Sequence, residues 1–437
     1  MEKTIRHPLA YARLQRGWSQ NDLAQQVRTA ARRRGLRSGS IPQRISKWES
    51  GRVSPDEDSQ LLLADAFGIP HSAVLALGWP YWLPGREAPL PLGPDSTTHA
   101  LREALSSLID RRTFVNYTPA ALAGLAFQWA DLDPVGLVTA LRGRHVDAEL
   151  VEGLEQHSTW LTSLATEQRQ RLGPLLVGHL ETVTELIDEG RYTEGVGKRL
   201  RTLAATVAQT IGWHRFDHGQ HASATRFWHG ALHSAHESGD RDLGAGILSD
   251  IAYQQTWLNA PNTAVEILDY AIRRADHPTA RSLLQLRKAR AHAALGEELL
   301  CTRALGAAET ALNAASGRTP PAWCSWHSAC DLAVDTGRCM LDLGHHRHAR
   351  QLIDEGTELL PYARLKTKAV FLTYESRSCF ASGEVEQAAA VAREALSMAT
   401  RIGAPRCVAL VHELIPSFIR HGSAQGVPEL LELARSS

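Results

Sequence analysis

The 437-residue sequence predicts an all-α chain, and two observations carry that prediction. The first ~80 residues break into short stretches that have helix start and stop signals and apolar residues three and four apart. From about Lys198 onward, helix-length segments come in pairs at a spacing near forty, with a Gly-like break inside each pair. The expected order is a five-helix N-terminal domain over residues 1–84 and a Pro/Gly-rich linker over 85–97, then a helical connector over 98–195 and a helical-repeat domain over 196–437.

The best-marked helix lies in Ser40 to Pro55, SIPQRISKWESGRVSP. Ser40 or Ile41 stands at its cap, and Pro42 falls in the first turn, where a missing N–H costs nothing. Gly51 ends it, with Pro55 just beyond. Ile45 and Trp48, three apart, can face a core, which leaves Gln43, Arg44 and Lys47 on the other side. Gln offers a bidentate pair to adenine N6 and N7, and Lys and Arg donate to guanine O6 and N7 or to phosphate. Taken alone, a surface helix with a polar wet side would read the same way.

Upstream, Pro8 to Gly17 is a short amphipathic helix with Leu9, Ala12 and Leu14 on its apolar side. Ser19 caps a second helix from Gln20 to Val27, with Asp22 in its first turn and Leu23, Ala24 and Val27 as the buried stripe. LLLADAFGI, Leu61 to Ile69, and the SAVLALG after it complete the five.

WSQNDLAQQV, ISKWESGRVSP and LLLADAFGIP together resemble the Cro/cI-type helix-turn-helix family, also called the xenobiotic-response-element family. The resemblance implies binding to double-stranded DNA. Gln20 matches the family's Gln that bonds a phosphate and braces the recognition helix, and Gln43, Arg44 and Lys47 match positions that face base edges in the major groove. Trp48, Glu49 and Gly51 match the run that closes the recognition helix, where the Glu is structural. There is one departure. RTAARRRGLRSG, Arg28 to Gly39, stands where the family has a tight turn. Either the second helix runs on through Arg34 or a basic loop projects. Both put Arg28, Arg32, Arg33, Arg34 and Arg37 near phosphates. Because one such domain touches a single half-site, the resemblance also implies a homodimer with half-sites about one helical turn apart.

Charge agrees. Residues 1–52 hold twelve Lys/Arg and three Asp/Glu, a surplus of nine, and the chain balances at 47 of each, so residues 53–437 carry minus nine. A solvated basic surface would explain charge alone, but beside a helix-turn-helix pattern it suits phosphate neutralisation. At this length two or three domains are expected. The chain has no apolar run of eighteen residues, and MEKTIRHPLAYAR has no signal-peptide core, which predicts a soluble cytoplasmic protein with no membrane partner. Arg111-Arg112 lies internally without a suitable apolar stretch behind it, so it is not an export signal. Six cysteines, none in a C-x-x-C pair, suit reduced thiols.

Pro80, Pro84, Pro89, Pro91 and Pro94, with Gly85 and Gly93, break any helix from Trp79 to Asp95, and Trp79, Tyr81 and Trp82 are placed to tuck back onto the N-terminal core. The connector carries helical patterns in ALREALSSLI, LVTALRG, LVEGLEQHSTWLTSLA and LLVGHLETVTELIDEG. Five pairs follow, broken at Gly219, Asn259-Ala260-Pro261, Gly296, Gly344 and Gly383, with further helices around 408–420 and 428–435. The first pair puts Gly212 in one helix and Ala224, Trp228, Ala231 and Leu232 in the next, and similar small and large positions recur through Ala264, Leu268, Gly337, Ala349, Ala388 and Ala392. This resembles the tetratricopeptide superfamily over about half the chain, although that family's period is about 34. An irregular Ala-rich bundle is the alternative.

The resemblance implies a right-handed solenoid with first helices inside. Inner positions would be Gln209, Trp213, Phe216, Ser249, Tyr253, Trp257, Arg290, Arg338 and Arg377. Arginines at one register beyond an aromatic end suit a peptide or acidic small-molecule effector, and ion pairs with Asp331 or Glu375 are the competing explanation.

His229, His233 and His236 share a helix face, and Cys324, His327 and Cys330 another, at spacings that could ligate zinc. The first trio is expected on the solvent side of its repeat and the second on a packing face, so no metal and no cofactor is expected. His412-Glu413 lacks the second His of a zinc protease, and Gly190–Lys198 misses the spacing of a phosphate loop, so no catalytic residue and no enzyme is expected. The joint architecture resembles the peptide-sensing regulators of Gram-positive bacteria, and more closely the helix-turn-helix plus repeat regulators of high-GC actinobacteria. It implies a transcription regulator whose repeats dimerise it or sense a ligand. A protein-interaction scaffold with a vestigial docking module is the alternative.

Overall fold

A computed structural model describes residues 8–36, 41–49, 53–67, 71, 74, 79, 83, 89–93, 96–106, 117, 119–132, 144–164 and 172–437. They form an all-α structure with one two-residue parallel pairing. The N-terminal helices are α1 (Pro8–Gln15), α2 (Gln20–Arg33), α3 (Pro42–Glu49) and α4 (Glu57–Phe67). Ser19 caps α2 in a reciprocal box with Asp22.

Of the two alternatives for Arg28–Gly39, the helix runs on. The stripe of Leu23, Ala24 and Val27 continues one more turn into buried Ala30 and Ala31, so the extension keeps a core-facing edge. It stops at Gly35, whose φ of +70° lets the Leu36 N–H reach back to the Ala31 carbonyl at 2.8 Å. Leu9, Leu23, Val27, Ile45, Trp48, Leu63, Phe67 and Leu83 close a core of their own, and Trp79 packs on it as expected. Arg37, Ser40, Gly51, Tyr81 and Trp82 lie outside the described residues, as does all of SAVLALG except Val74.

The connector contains α5 (Ser96–Ser106), α6 (Pro119–Asp131), α7 (Ala148–Ser163) and α8 (Gly173–Glu189). LVTALRG falls outside the described residues. Helix α6 is an element the sequence patterns did not single out. Its AALAGLAFQWA is small and apolar nearly all round, and a helix buried on most sides has no amphipathic stripe to find. A two-residue strand β1 (Arg144–His145) pairs in parallel with β2 (Gly190–Arg191).

Five helix pairs follow: α9 (Glu194–Asp217) with α10 (His221–Ser238), α11 (Arg241–Trp257) with α12 (Pro261–Arg274), α13 (Pro278–Ala294) with α14 (Glu298–Ala314), α15 (Ala329–Asp342) with α16 (His346–Glu358), and α17 (Leu365–Ala381) with α18 (Val385–Arg401). The chain reverses within each pair at a residue of positive φ: Gly219, Asn259, Gly296, Gly344 and Gly383. First helices of successive pairs touch one another, so the pairs stack in a row. α19 (Pro405–His412), α20 (Ile415–Ile419) and α21 (Val427–Ser436) end it.

Close approach within the pairs depends on small residues. A Cβ added at Gly212 would sit 2.3 Å from Trp228 Nε1, and one at Gly337 would meet Ile353 at 2.7 Å. The row also curls back on itself. Lys366 at the start of α17 and Arg406 at the start of α19 both reach Asp217 at the end of α9. The connector and the first pairs share one apolar core, which runs from Leu92, Leu101 and Leu180 through Trp228 and Leu248 to Leu284.

Candidate nucleic-acid interface

Helix α3 is held from beneath and open above. Ile45 and Trp48 are buried, and Gln43, Arg44 and Lys47 are exposed, as the spacing predicted. Its last residue, Glu49, is the anchor. The Glu49 carboxylate, 8% exposed, accepts from Arg13 Nε at 2.5 Å, from Arg13 Nη2 at 3.2 Å and from Gln20 Nε2 at 2.7 Å. Arg13 also donates to the Trp18 carbonyl at 2.7 Å. Thus one carboxylate ties the C-terminus of α3 to α1 and to the start of α2. A bidentate Arg–carboxylate contact with a third donor fixes orientation as well as distance. Sequence reasoning anticipated Gln20 and a structural Glu49 but missed Arg13, because a partner 36 residues away leaves no local signal.

Arg44 is exposed but not idle. Its Nη2 lies 3.3 Å from Asp56, and its guanidinium sits over the Trp48 ring, 5.4 Å from the centroid. Ser59 donates to Asp56 through its hydroxyl and through its backbone N–H at 2.8 Å, and these bonds, with a smaller contribution from Arg44, keep that carboxyl below the ordinary range. In α2, Arg32 and Arg33 are exposed, Arg28 is half-buried, and Arg34 is bound to Asp65 at 2.9 Å with His71 beside it. Arg34 therefore fastens α2 to α4. Arg37 lies outside the described residues. Arg16 makes a similar internal link, donating to the Phe67 carbonyl at 2.7 Å and stacking over Phe67 and Trp18.

The inner face of the repeats differs from what the register suggested. Arg290, Arg338 and Arg377 are already matched with carboxylates. Arg290 meets Asp335 at 2.7 Å, and Arg338 and Arg377 share Asp342 at 3.1 and 3.6 Å. The partners are not the expected Asp331 and Glu375, since Asp331 pairs instead with Arg364. The aromatic end is likewise filled from within. Trp213, Tyr253 and Trp257 pack around Phe216, Arg287 lies over Trp213 and Tyr253, and Arg406 lies over Tyr253 and Trp257. Arg406 also donates to the Tyr253 hydroxyl at 2.9 Å. With a carboxylate already beside each of the three guanidiniums, a peptide carboxylate has less to gain there, so the expected peptide groove loses the feature that motivated it.

The histidine trio is also corrected. His229, His233 and His236 are 1%, 0% and 5% exposed, because α5 covers the side of α10 that a free repeat would turn to water. Cys324 and Cys330 do not share a helix face either: Cys324 ends a 3₁₀ turn, Ala322–Cys324, and Cys330 lies in α15. His327 is buried against Ser282 at 2.9 Å, and that burial lowers it to about 4. Among the described residues, no group of three His, Cys, Asp or Glu side chains could hold a metal ion, and no helix is long and apolar enough to cross a membrane.

No family model and no curated protein matches this chain.

Proposed function

We propose that the protein is a cytoplasmic, sequence-specific DNA-binding transcription regulator, with α3 as its recognition helix and the tetratricopeptide-like pairs as its dimerisation region. The observation that carries this proposal is the three-way hold on Glu49, which presents Gln43, Arg44 and Lys47 outward on a helix whose opposite side is core. Exposed Arg32 and Arg33 on the lengthened α2 supply phosphate contacts beside it. The matched arginines of the inner face favour an assembly role for the repeats over a peptide sensor.

Selecting bound sites from genomic DNA and titrating them over a range of salt tests this. Lys47→Ala or Gln43→Ala should cost about 1–3 kcal/mol on the preferred site and relax one position per half-site. Arg33→Ala should weaken all sequences alike and flatten the salt slope. An unchanged preferred site in Lys47→Ala would put the recognition surface elsewhere. Absence of any salt-sensitive duplex binding would leave the scaffold alternative.

A further inference from the structure

Among the outward residues of α3, Arg44 has its guanidinium placed from two sides. One turn along its own helix lies the Trp48 ring, with the guanidinium carbon 5.4 Å from the ring centroid. Twelve residues on in the chain stands Asp56, whose Oδ2 accepts from Arg44 Nη2 at 3.3 Å. The arginine side chain remains 45% exposed, so the guanidinium is placed without being covered.

Both supports are themselves fixed. Trp48 is 1% exposed in the N-terminal core. Asp56 caps α4: its carbonyl oxygen accepts from the Gln60 N–H at 2.9 Å, and its Oδ1 accepts from the Ser59 N–H at 2.8 Å. The two carboxylate oxygens thus have separate roles, Oδ1 on the helix and Oδ2 on Arg44. Helix α4 is anchored in the same core through Leu62, Leu63 and Phe67. A ring on α3 and a cap on α4 therefore set the direction of one exposed side chain.

Magnitudes indicate what that arrangement is for. An ion pair this exposed adds little to the stability of a fold. An unrestrained arginine loses rotamer freedom when it docks, and a fork already oriented loses less. Asp56 takes one of the five N–H donors, which leaves a bidentate set for guanine O6 and N7. Lys47 is a point charge with no fork, and the Gln43 amide matches adenine. Asp56 also brings a negative charge beside the surface that would meet phosphates, so it weakens contact with every duplex while steadying one reader. Both effects raise the ratio of specific to non-specific affinity.

We propose that Arg44 reads a guanine in each half-site and that Asp56 is the residue that positions it to do so. This rests on α3 being the recognition helix.

Site selection with the full chain, followed by titration of duplexes carrying each base pair at the selected position, tests this. Arg44→Ala should erase a guanine preference at one position per half-site, distinct from those that Gln43→Ala and Lys47→Ala relax. Asp56→Asn keeps an oxygen for the Ser59 N–H, and asparagine caps helices as well as aspartate does, so α4 should stay formed. That variant should lower the guanine preference at the same position about three- to tenfold, the freedom regained by one rotamer-rich side chain. Its binding to unrelated duplexes should not weaken. Glu57→Gln removes an equal charge one residue along, and should tighten all sequences alike without changing the guanine ratio. Should Asp56→Asn fail to fold, Asp56→Ser, which caps but carries no carboxylate, must show the same loss.

Absence of duplex binding by the full chain would overturn the recognition helix and this inference with it. Other outcomes would overturn the Arg44–Asp56 pair alone. These are intact site selection with an unchanged guanine ratio in Asp56→Asn, or no altered position, or a base other than guanine lost, in Arg44→Ala. A preference that sharpens in Asp56→Asn would show the carboxylate withholding Arg44 from DNA, and would overturn the pair as well.

Discussion

Asp217→Ala is expected to cost about 3–5 kcal/mol and to open the curl of the repeats. The carboxylate, 7% exposed, is the single anion on which Lys366 and Arg406 converge from 149 and 189 residues away. Burial opposes its charge, but those two cations outweigh burial and hold the carboxyl below its ordinary range. Removing it leaves two part-buried cations facing each other. Arg406 would retain the Tyr253 hydroxyl and three aromatic faces, which cannot neutralise it. Urea unfolding reads the loss, and small-angle scattering reads the expansion. A cost under about 1 kcal/mol with unchanged dimensions would mean that other contacts hold α17 and α19 to α9.

Trp228→Ala should be as damaging, at about 3–5 kcal/mol, for an apolar reason. Trp228 is fully buried, touches Trp213 and Phe216, and donates from Nε1 to the Gln209 carbonyl at 3.2 Å. Its partner is the missing side chain at Gly212. Gly212→Ala alone would drive a methyl to 2.3 Å from Nε1 of the Trp228 ring and should cost about 1–3 kcal/mol. In the Gly212→Ala/Trp228→Leu double variant the methyl enters space the smaller residue vacates, so the two costs should fall short of additive. Additive costs from denaturant unfolding would show that the two residues do not share one packing volume.

Helix pairs were legible because the signals that make them are local. Ser19 and Asp22 cap α2 within one turn, and Gly219, Gly296, Gly344 and Gly383 each mark a reversal at their own position. Helix α6 was not legible, because a helix covered on most sides carries no stripe, and the length of α2 stayed open between two alternatives, because an arginine-rich stretch hides two core alanines. At the candidate interface the outward set Gln43, Arg44 and Lys47 followed from spacing alone. That Arg13 steadies Glu49, Asp56 restrains Arg44 and Arg34 serves α4 did not.

By itself, the sequence determined the all-α class, the paired helices and the two-sided character of α3, since hydrophobic period, caps and turn residues act over three to five positions. Only the tertiary structure decided which charges are free. Spacing alone put Arg290, Arg338 and Arg377 on the inner face and left both an acidic ligand and ion pairs open. It set His229 and His233 in water. The fold brought Asp335 and Asp342 to the arginines, and Leu90 and the start of α5 to the histidines. A side chain's partners, and so its charge and availability, depend on what packs over it, and those residues lie tens to more than a hundred positions away.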